Sequence, residues 1–160
     1  MKKVIGLPTE TNQKLVDLIK KTKINNYYIR NQADFRKRIV EDVKFDDDVL
    51  DVGKGMRDKF TNLKSKKITT IDVNDFGDYP DIIYDICSDP DENLVEKFDK
   101  IICLAVLEHV YDPFAAVKNI RKMLKENGVL YGYVPYLFYY HAPKSLKYQD
   151  YFRFSKDALS

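Results

Sequence analysis

The sequence predicts an α/β fold with a mostly parallel central sheet between two layers of helices. Short apolar runs alternate along the chain with amphipathic segments of helical period. The run from Ile101 to Val106 is continuously apolar, which is typical of a strand buried on both faces of a parallel sheet. A length of 160 residues fits one domain with a single core. Ligands of such folds bind beyond the carboxyl ends of the strands, so each strand end is a candidate site.

Two helices are predicted before the first strand, over residues 9–22 and 26–43, because apolar residues recur there at helical spacing. We interpret residues 1–44 as a helical segment that packs on the core. Residues 45–160 form the core itself, and the whole chain is one domain.

Five strands are predicted after these helices. Short helical segments are expected between them, over residues 56–63 and near residues 92–97. The strands are Val49 to Val52, Ile68 to Val73, Ile82 to Ile86, Ile101 to Val106 and Val129 to Val134.

A longer helix is predicted between the fourth and fifth strands. Asp112 is placed to cap it, Pro113 fits its first turn, and Gly128 is expected to end it. Residues 155–160 look like the first turn of one more helix. The predicted apolar stripe of the long helix consists of Phe114, Val117, Ile120 and Leu124.

Composition excludes several classes of protein. The 27 basic and 25 acidic residues give a net charge of +2 without a concentrated basic face, so no nucleic-acid partner is expected. Cys87 and Cys103 lie in apolar surroundings without a C-x-x-C spacing, which indicates reduced cysteines, a cytoplasmic protein and no metal site. The apolar run in the opening MKKVIGLPTE is too short to predict a signal peptide, and no apolar window predicts a membrane span.

The stretch VLDVGKGMRD carries the first candidate site. After Asp51, the glycines Gly53 and Gly55 let the backbone turn sharply and approach a ligand closely. The residues after Gly55 include Arg57 and no third glycine, which disfavours the pyrophosphate cofactor of a dehydrogenase. A ligand held by carboxylates and close backbone fits better, and an ordinary strand-to-helix turn remains the alternative.

Two further acids end the next two strands. Asp72 lies about twenty residues past the glycine turn, where nucleotide-binding sheets place a carboxylate for ribose hydroxyls. Its alternative is a plain turn residue, since Asn74 follows. Asp85 and Ile86 could meet an adenine ring edge, and a turn-forming role is equally open.

Three motifs together resemble the Rossmann-like, class I SAM-dependent methyltransferases: VLDVGKGMRD, ITTIDV and LEHVYDPFAAVKNIRKMLKENGVLYGYVP. Their order and spacing match over roughly residues 45–160. The closing VPYLFYYHAPKSLKYQDYFRFSKDAL is similar to a methyltransferase type 11-like subgroup with an H-x-x-P and D-Y-x-R-F ending. Members of that subgroup are linked to sugar, lipid or cell-surface polysaccharide modification.

The resemblance implies S-adenosyl-L-methionine (SAM) as the cofactor and a role for each matching residue. A substrate lid would contain His141, Tyr151 and Arg153, although Arg153 could instead pair with Asp150. His109 and His141 are the two candidates for a catalytic base, although His109 could equally be a locally bonded residue at a helix start and His141 an ordinary loop residue near Pro143. The cofactor-binding residues would be Asp51, Gly53 and Gly55 for the amino-acid part, Asp72 for the ribose, Val73, Asp85 and Ile86 for the adenine, and Leu104 and Glu108 near the methionine end.

The implied activity is methyl transfer from SAM to a small-molecule, sugar or glycan- or lipid-linked acceptor. The alternative is a non-catalytic SAM-binding module or a degenerate methyltransferase-like partner. The family sheet has seven strands, and the last two have no counterpart before Ser160. We therefore expect either a fragment or a shortened domain whose sheet edge is covered by a partner subunit, as in a homodimer.

Overall fold

The computed structural model describes residues 34–53, 62–136, 138–142, 144–155 and 158. The predicted helix at 9–22, most of the segment at 56–63, and Gly55 lie outside the described residues. Within them, the elements follow in this order: helix α1 over residues 34–42, strands β1 (Asp48–Val52), β2 (Lys67–Asp72), β3 (Ile82–Ile83) and β4 (Phe98–Leu104), helix α2 (Pro113–Met123) and strand β5 (Leu124–Tyr133). Two single 3₁₀ turns, Glu92–Leu94 and Leu107–His109, flank β4.

The five strands form one sheet in the order β3-β2-β1-β4-β5, and every neighbouring pair is parallel. This confirms the predicted parallel α/β fold. Leu50 of β1 lies opposite Thr69 of β2 on one side and Ile101 of β4 on the other. The strand order therefore reverses at β1, and the crevice between the carboxyl ends of β1 and β4 is where such sheets bind ligands.

Alternate residues of the central strands enter two separate cores. Leu50 of β1 packs with Ile120 of α2 on one face, whereas Val49 packs with Ile39 and Val43 beside α1 on the other. All five side chains are at most 1% exposed. Full burial of an aliphatic side chain of this size contributes about 2 kcal/mol, so both helical layers are held chiefly by apolar contact.

Helix α2 begins as predicted. The Asp112 side chain accepts a hydrogen bond from the Ala115 amide at 2.9 Å, and Pro113 occupies the first turn. The predicted apolar stripe is correct at Ile120 and Leu124, which are buried, but wrong at Phe114 and Val117, which are 88% and 43% exposed. The buried face instead includes Asn119, whose amide nitrogen donates to carbonyl oxygens beyond β3. The pattern of apolar residues alone did not predict this buried, hydrogen-bonded asparagine.

The end of α2 also differs from the prediction. The helix ends at Met123, because Leu124 takes an extended conformation and begins β5. Gly128 lies inside β5, where a β-carbon would come within 2.9 Å of Leu124 Cδ2 and 3.1 Å of the Phe98 carbonyl oxygen. This glycine therefore permits close strand packing and does not end the helix.

Strand β4 begins at Phe98, earlier than predicted, and ends at Leu104. Its charged start is stabilised across strands, because Asp99 accepts from the Asp48 amide at 2.8 Å and from Lys125 Nζ at 2.8 Å. The strand ends because Ala105 has a positive φ of 55°. Strand β3 is shorter than predicted, and the segment near residues 92–97 contains only the 3₁₀ turn.

The structure bears on two expectations, one about the cysteines and one about membrane-spanning helices. Cys87 and Cys103 are both free thiols, and Cys103 is buried in the core. Across the described ranges, we find no helix with the length and apolar character needed to cross a membrane.

Candidate functional site

A cavity of about 290 Å³ lies at the carboxyl ends of β1, β2 and β4. It occupies the crevice at which the strand order reverses, which is where the sequence predicted a ligand site. Most of the predicted site residues line it, although they are spread over nearly ninety positions of the chain. These lining residues are Gly53, Asp72, Val73, Asp85, Ile86, Leu104, His109 and His141.

The turn after β1 needs a glycine at position 53. Gly53 has a φ of +60°, a conformation that residues with a β-carbon rarely adopt. A β-carbon there would meet Val106 Cγ2 at 2.6 Å, so the side chain of Val106 also requires its absence. The Gly53 amide donates to the Ile71 carbonyl at 2.8 Å, which ties this turn to β2.

Asp72 ends β2 with its carboxylate held in a fixed direction. Its Oδ1 accepts from the Asn74 amide at 2.9 Å and from the Asn74 side chain at 3.3 Å, and its Oδ2 accepts from Tyr79 Oη at 3.4 Å. The residue is only 7% exposed, yet it lines the cavity. Because a carboxylate has about four acceptor positions, it can still accept hydrogen bonds from a pair of hydroxyls.

The segment after β3 forms the opposite wall. Asp85 Oδ1 accepts from the Cys87 amide at 2.9 Å, which fixes the turn. From α2, Asn119 Nδ2 donates to the Ile86 carbonyl at 3.0 Å and to the Ser88 carbonyl at 2.5 Å. Helix α2 therefore holds the backbone at Ile86, one of the two residues that were predicted to meet an adenine edge.

His109 and His141 come together at the mouth of this cavity, with their Nε2 atoms 3.1 Å apart. His109 follows β4, whereas His141 belongs to the loop after β5. His109 Nδ1 lies 2.8 Å from the Gln149 carbonyl oxygen, and His141 Nδ1 lies 3.2 Å from Asp150 Oδ2. Burial lowers the pKa of His109, although the hydrogen bond to Gln149 opposes that shift.

Glu108 lies directly behind the two imidazoles. Its side chain is fully buried, and neither carboxylate oxygen has a hydrogen-bond partner among the described residues. Its Oε1 is 3.8 Å from His109 Nε2. Burial raises the pKa of Glu108 to about 7, with Arg153 opposing and Asp150 reinforcing the shift.

Asp150 and Arg153 hold the loop that carries His141. Asp150 Oδ2 accepts from the His141 amide at 2.9 Å and from Arg153 Nη2 at 2.7 Å. Burial alone would raise the pKa of Asp150, but Arg153 and His141 outweigh it and hold the pKa below its usual value. The amide of Tyr151 donates to the Glu108 carbonyl at 2.8 Å, so the same segment is fastened to the turn after β4.

Besides Glu108, three described residues that were predicted for the site are absent from the cavity lining. Asp51 is a buried residue of β1, and as its neighbour in the strand it lies on the other face of the sheet from Leu50 and Val52. It is not among the described residues that line the cavity. Tyr151 and Arg153 are likewise absent from that lining. The Arg153 guanidinium donates to Asp150 and to backbone carbonyls of the loop, which is the structural pairing that the sequence left open. Gly55 lies outside the described residues.

Sequence reasoning missed four polar or aromatic residues of the cavity wall: Tyr84, Tyr111, Lys147 and Tyr148. Tyr84 and Tyr111 follow strands β3 and β4, so a stricter search of the strand ends would have found them. Tyr148 lies with its ring centroid 4.7 Å from that of His109, and its Lys147 neighbour donates its amide to Asn74 Oδ1 at 2.7 Å. No local pattern indicates that residues 147 and 148 return to β2.

The parallel sheet, the glycine turn and the acid that ends β2 define a Rossmann-like cofactor-binding domain. A family model described as a methyltransferase domain matches residues 21–157. The chain therefore belongs to this family of class I SAM-dependent methyltransferase domains, as the resemblance predicted.

Curated relatives match over a short stretch only. The ubiquinone biosynthesis O-methyltransferase of Histophilus somni (strain 2336) is 53% identical over 36 residues, which is 22% of this chain and 15% of that protein. The proteins of the same name from Haemophilus ducreyi (strain 35000HP / ATCC 700724) and Pasteurella multocida (strain Pm70) are 44% and 47% identical over the same length and coverage. These matches give no support to the expected link with polysaccharide biosynthesis.

A solved complex between the Haloferax volcanii Trm112 methyltransferase activator and a methyltransferase also resembles this chain. The TM-score is 0.49 at 18% sequence identity. The similarity covers 63% of this chain and 50% of the other.

Proposed function

We propose that this protein transfers the methyl group of SAM to a hydroxyl oxygen of a small-molecule acceptor. One observation carries the proposal. Gly53, Asp72 and Asp85, which were predicted to bind the cofactor, line one cavity. The imidazoles of His109 and His141 line the same cavity. Family membership supports the cofactor, since methyltransferase domains of this class use SAM. The names of the matched relatives support oxygen as the methylated atom.

The cavity wall suits the nucleoside part of the cofactor. Asp72 presents a buried carboxylate whose remaining acceptor positions can bind both ribose hydroxyls. Val73 and Ile86 supply apolar contacts for an adenine ring, and Asp85 supplies an acceptor for its amino group. Gly53 and Val106 line the same cavity, so the backbone of this turn can lie against the amino-acid part.

When bound, SAM supplies an activated methyl group on a positively charged sulfur, so the protein contributes mainly alignment and removal of a proton. The His109 and His141 rings line this cavity with their Nε2 atoms 3.1 Å apart, so an acceptor hydroxyl bound in the cavity could reach them. We assign the removal of the acceptor's proton to this pair. Tyr111 and Tyr148 offer aromatic faces on which a planar or sugar acceptor could stack.

Calorimetric titration with S-adenosylhomocysteine tests the cofactor part, with Asp72→Ala as the variant. Asp75→Ala is the matched control, because Asp75 accepts the amide of Gly77 at 2.8 Å as Asp72 accepts that of Asn74, but Asp75 is exposed and away from the cavity. We expect a loss of roughly 10- to 100-fold in affinity in Asp72→Ala alone, from the loss of charged hydrogen bonds. Equal binding by both variants would contradict the assigned site.

Methyl transfer from labelled SAM to a panel of phenols, sugars and lipid-linked glycans then tests the acceptor. Product that forms with the unaltered chain and falls at least about 100-fold in His109→Ala supports the assigned base. Cofactor binding without transfer to any hydroxyl compound would favour a SAM-binding module instead.

A further inference from the structure

We propose that Glu108, His109 and His141 form a binding site for one divalent transition-metal cation at the mouth of the cavity. The nearest ligand atoms of these three side chains all lie within 4.8 Å of one another. The site leaves no local signature in the sequence, because His141 is 32 residues from His109 and no short spacing joins them.

The protonation of the two rings follows from their neighbours. His109 Nδ1 faces the Gln149 carbonyl at 2.8 Å, and a carbonyl oxygen can only accept, so Nδ1 carries the hydrogen. His141 Nδ1 faces the Tyr139 carbonyl at 3.1 Å and the ionised Asp150 at 3.2 Å, which also only accept. In each neutral ring, Nε2 is therefore left with a lone pair.

Those two lone pairs face each other across 3.1 Å. The buried Glu108 carboxylate adds further lone pairs, and its oxygens find no donor within the described chain. When Glu108 is ionised, three electron-pair donors thus converge without a hydrogen between them, which is unfavourable in a partly buried place. A bound cation would satisfy all three groups at once, whereas a single proton between the rings would leave the carboxylate unpaired.

The distances suit a transition metal. Two nitrogens bound at ~2.1 Å to one ion lie about 3.0 Å apart at a right angle and about 3.4 Å apart at a tetrahedral angle. The observed separation of 3.1 Å between the Nε2 atoms falls between these values. Glu108 Oε1 is 3.8 Å from His109 Nε2, so binding requires the carboxylate to move closer.

The surroundings match those of protein metal ligands. Metal-binding imidazoles usually donate the other ring N–H to a carbonyl or a carboxylate, as His109 does to Gln149 and His141 to Asp150. Two imidazoles and one carboxylate are a donor set found for Zn²⁺ and for Fe²⁺, with positions left for a further ligand. Both rings line the cavity, so that further ligand would come from its side.

Resting on the proposed function, the cation would bind the acceptor hydroxyl and lower its pKa. Because both Nε2 atoms would then be ligands, the proton would pass to solvent in the metal-bound protein, and the two imidazoles would act as a base only in the metal-free protein. The binding itself does not depend on that role. Zn²⁺ titration of chelator-treated protein by calorimetry tests it, with His141→Ala and Glu108→Gln as variants. Cys87→Ser and Asp75→Asn serve as controls. Each removes a side chain that can bind a metal (a thiol or a carboxylate) at a position outside the cluster.

We expect one Zn²⁺ per chain, with an affinity reduced on the order of 100-fold in His141→Ala, reduced also in Glu108→Gln, and unchanged in both controls. Binding that persists in His141→Ala, or the absence of one-to-one binding, would overturn the inference.

Co²⁺ loading of the unaltered chain gives a second readout that needs no variant. The chain has only two histidines, and coordination through both Nε2 atoms leaves an N–H at each Nδ1. Proton NMR should therefore show two strongly shifted signals that disappear in D₂O. Their absence would indicate that a proton, and not a metal, joins the rings.

Titration of the metal-free protein with S-adenosylhomocysteine separates the two proposals. Cofactor binding without Zn²⁺ binding would refute the cation site and leave the proposed methyl transfer standing. Zn²⁺ binding without cofactor binding would support the cation site and contradict the proposed methyl transfer.

Discussion

Val106 lies so close to Gly53 that a β-carbon at position 53 would come within 2.6 Å of Val106 Cγ2. The turn after β1 and the turn after β4 therefore pack against each other at the floor of the cavity. We expect Gly53→Ala to destabilise the protein by about 1–2 kcal/mol through its positive φ and to weaken S-adenosylhomocysteine binding as well.

Gly77→Ala is the matched control for that variant, because Gly77 has a φ of 82° but no atom within 4 Å of the position that a β-carbon would take. Denaturant unfolding should show a similar backbone cost for both variants. Only Gly53→Ala should lose affinity, and an equal loss in Gly77→Ala would refute the role of Val106.

Asn119 connects α2 to the cavity wall, so Asn119→Ala should affect both stability and binding. The substitution leaves the carbonyls of Ile86 and Ser88 without the donor they have now. We expect a loss of about 2–3 kcal/mol in the free energy of unfolding and a several-fold weaker cofactor affinity. Lys118→Ala, on the exposed face of the same helix, controls for helix propensity. Unaltered affinity in Asn119→Ala would show that α2 does not position Ile86.

Arg153 is predicted to stabilise the fold and not to bind the substrate. Its guanidinium joins Asp150 to the carbonyls of the His141 loop, a geometry that the single ammonium of lysine does not reproduce. We expect Arg153→Lys to lower the free energy of unfolding by about 1–3 kcal/mol. Arg121→Lys on the exposed face of α2 should have almost no effect. Unchanged stability with weaker acceptor binding would restore the substrate role that the sequence suggested.

Acid should weaken the contact between β1, β4 and β5. Burial alone would raise the pKa of Asp99, but Lys125 and the Asp48 amide outweigh it and hold that pKa below its usual value. A lowered folded-state pKa means that the carboxylate adds stability above about pH 3.9 and loses it as the pH falls through the folded pKa.

Asp99→Asn should therefore be less stable than the unaltered chain near neutral pH, by under about 1 kcal/mol for a partly exposed pair. The difference should shrink below about pH 3.9, which urea unfolding at several pH values would measure. Asp91→Asn is the control, since the Asp91 side chain forms no capping hydrogen bond. A constant difference at every pH would refute the assignment to this carboxylate.

The strands and the start of α2 were predictable because their signals are local. A continuous apolar run identifies a buried strand, and Asp112 followed by Pro113 identifies a helix start from two adjacent residues. The face and the end of α2 were not predictable in the same way. They depend on Asn119 reaching carbonyls beyond β3 and on β5 starting at Leu124, and both are contacts with distant parts of the chain.

The sequence by itself determined the parallel sheet and placed Gly53, Asp72 and Asp85 at one edge of it, because residues that end parallel strands meet at the same edge. Only the tertiary structure decided that Glu108, His109 and His141 meet there too. The loop after β5 folds back over β4, held by Asp150 and Arg153, and brings His141 to His109. Strand ends are fixed by period and register, whereas the path of a loop depends on side-chain contacts that no short stretch of sequence contains.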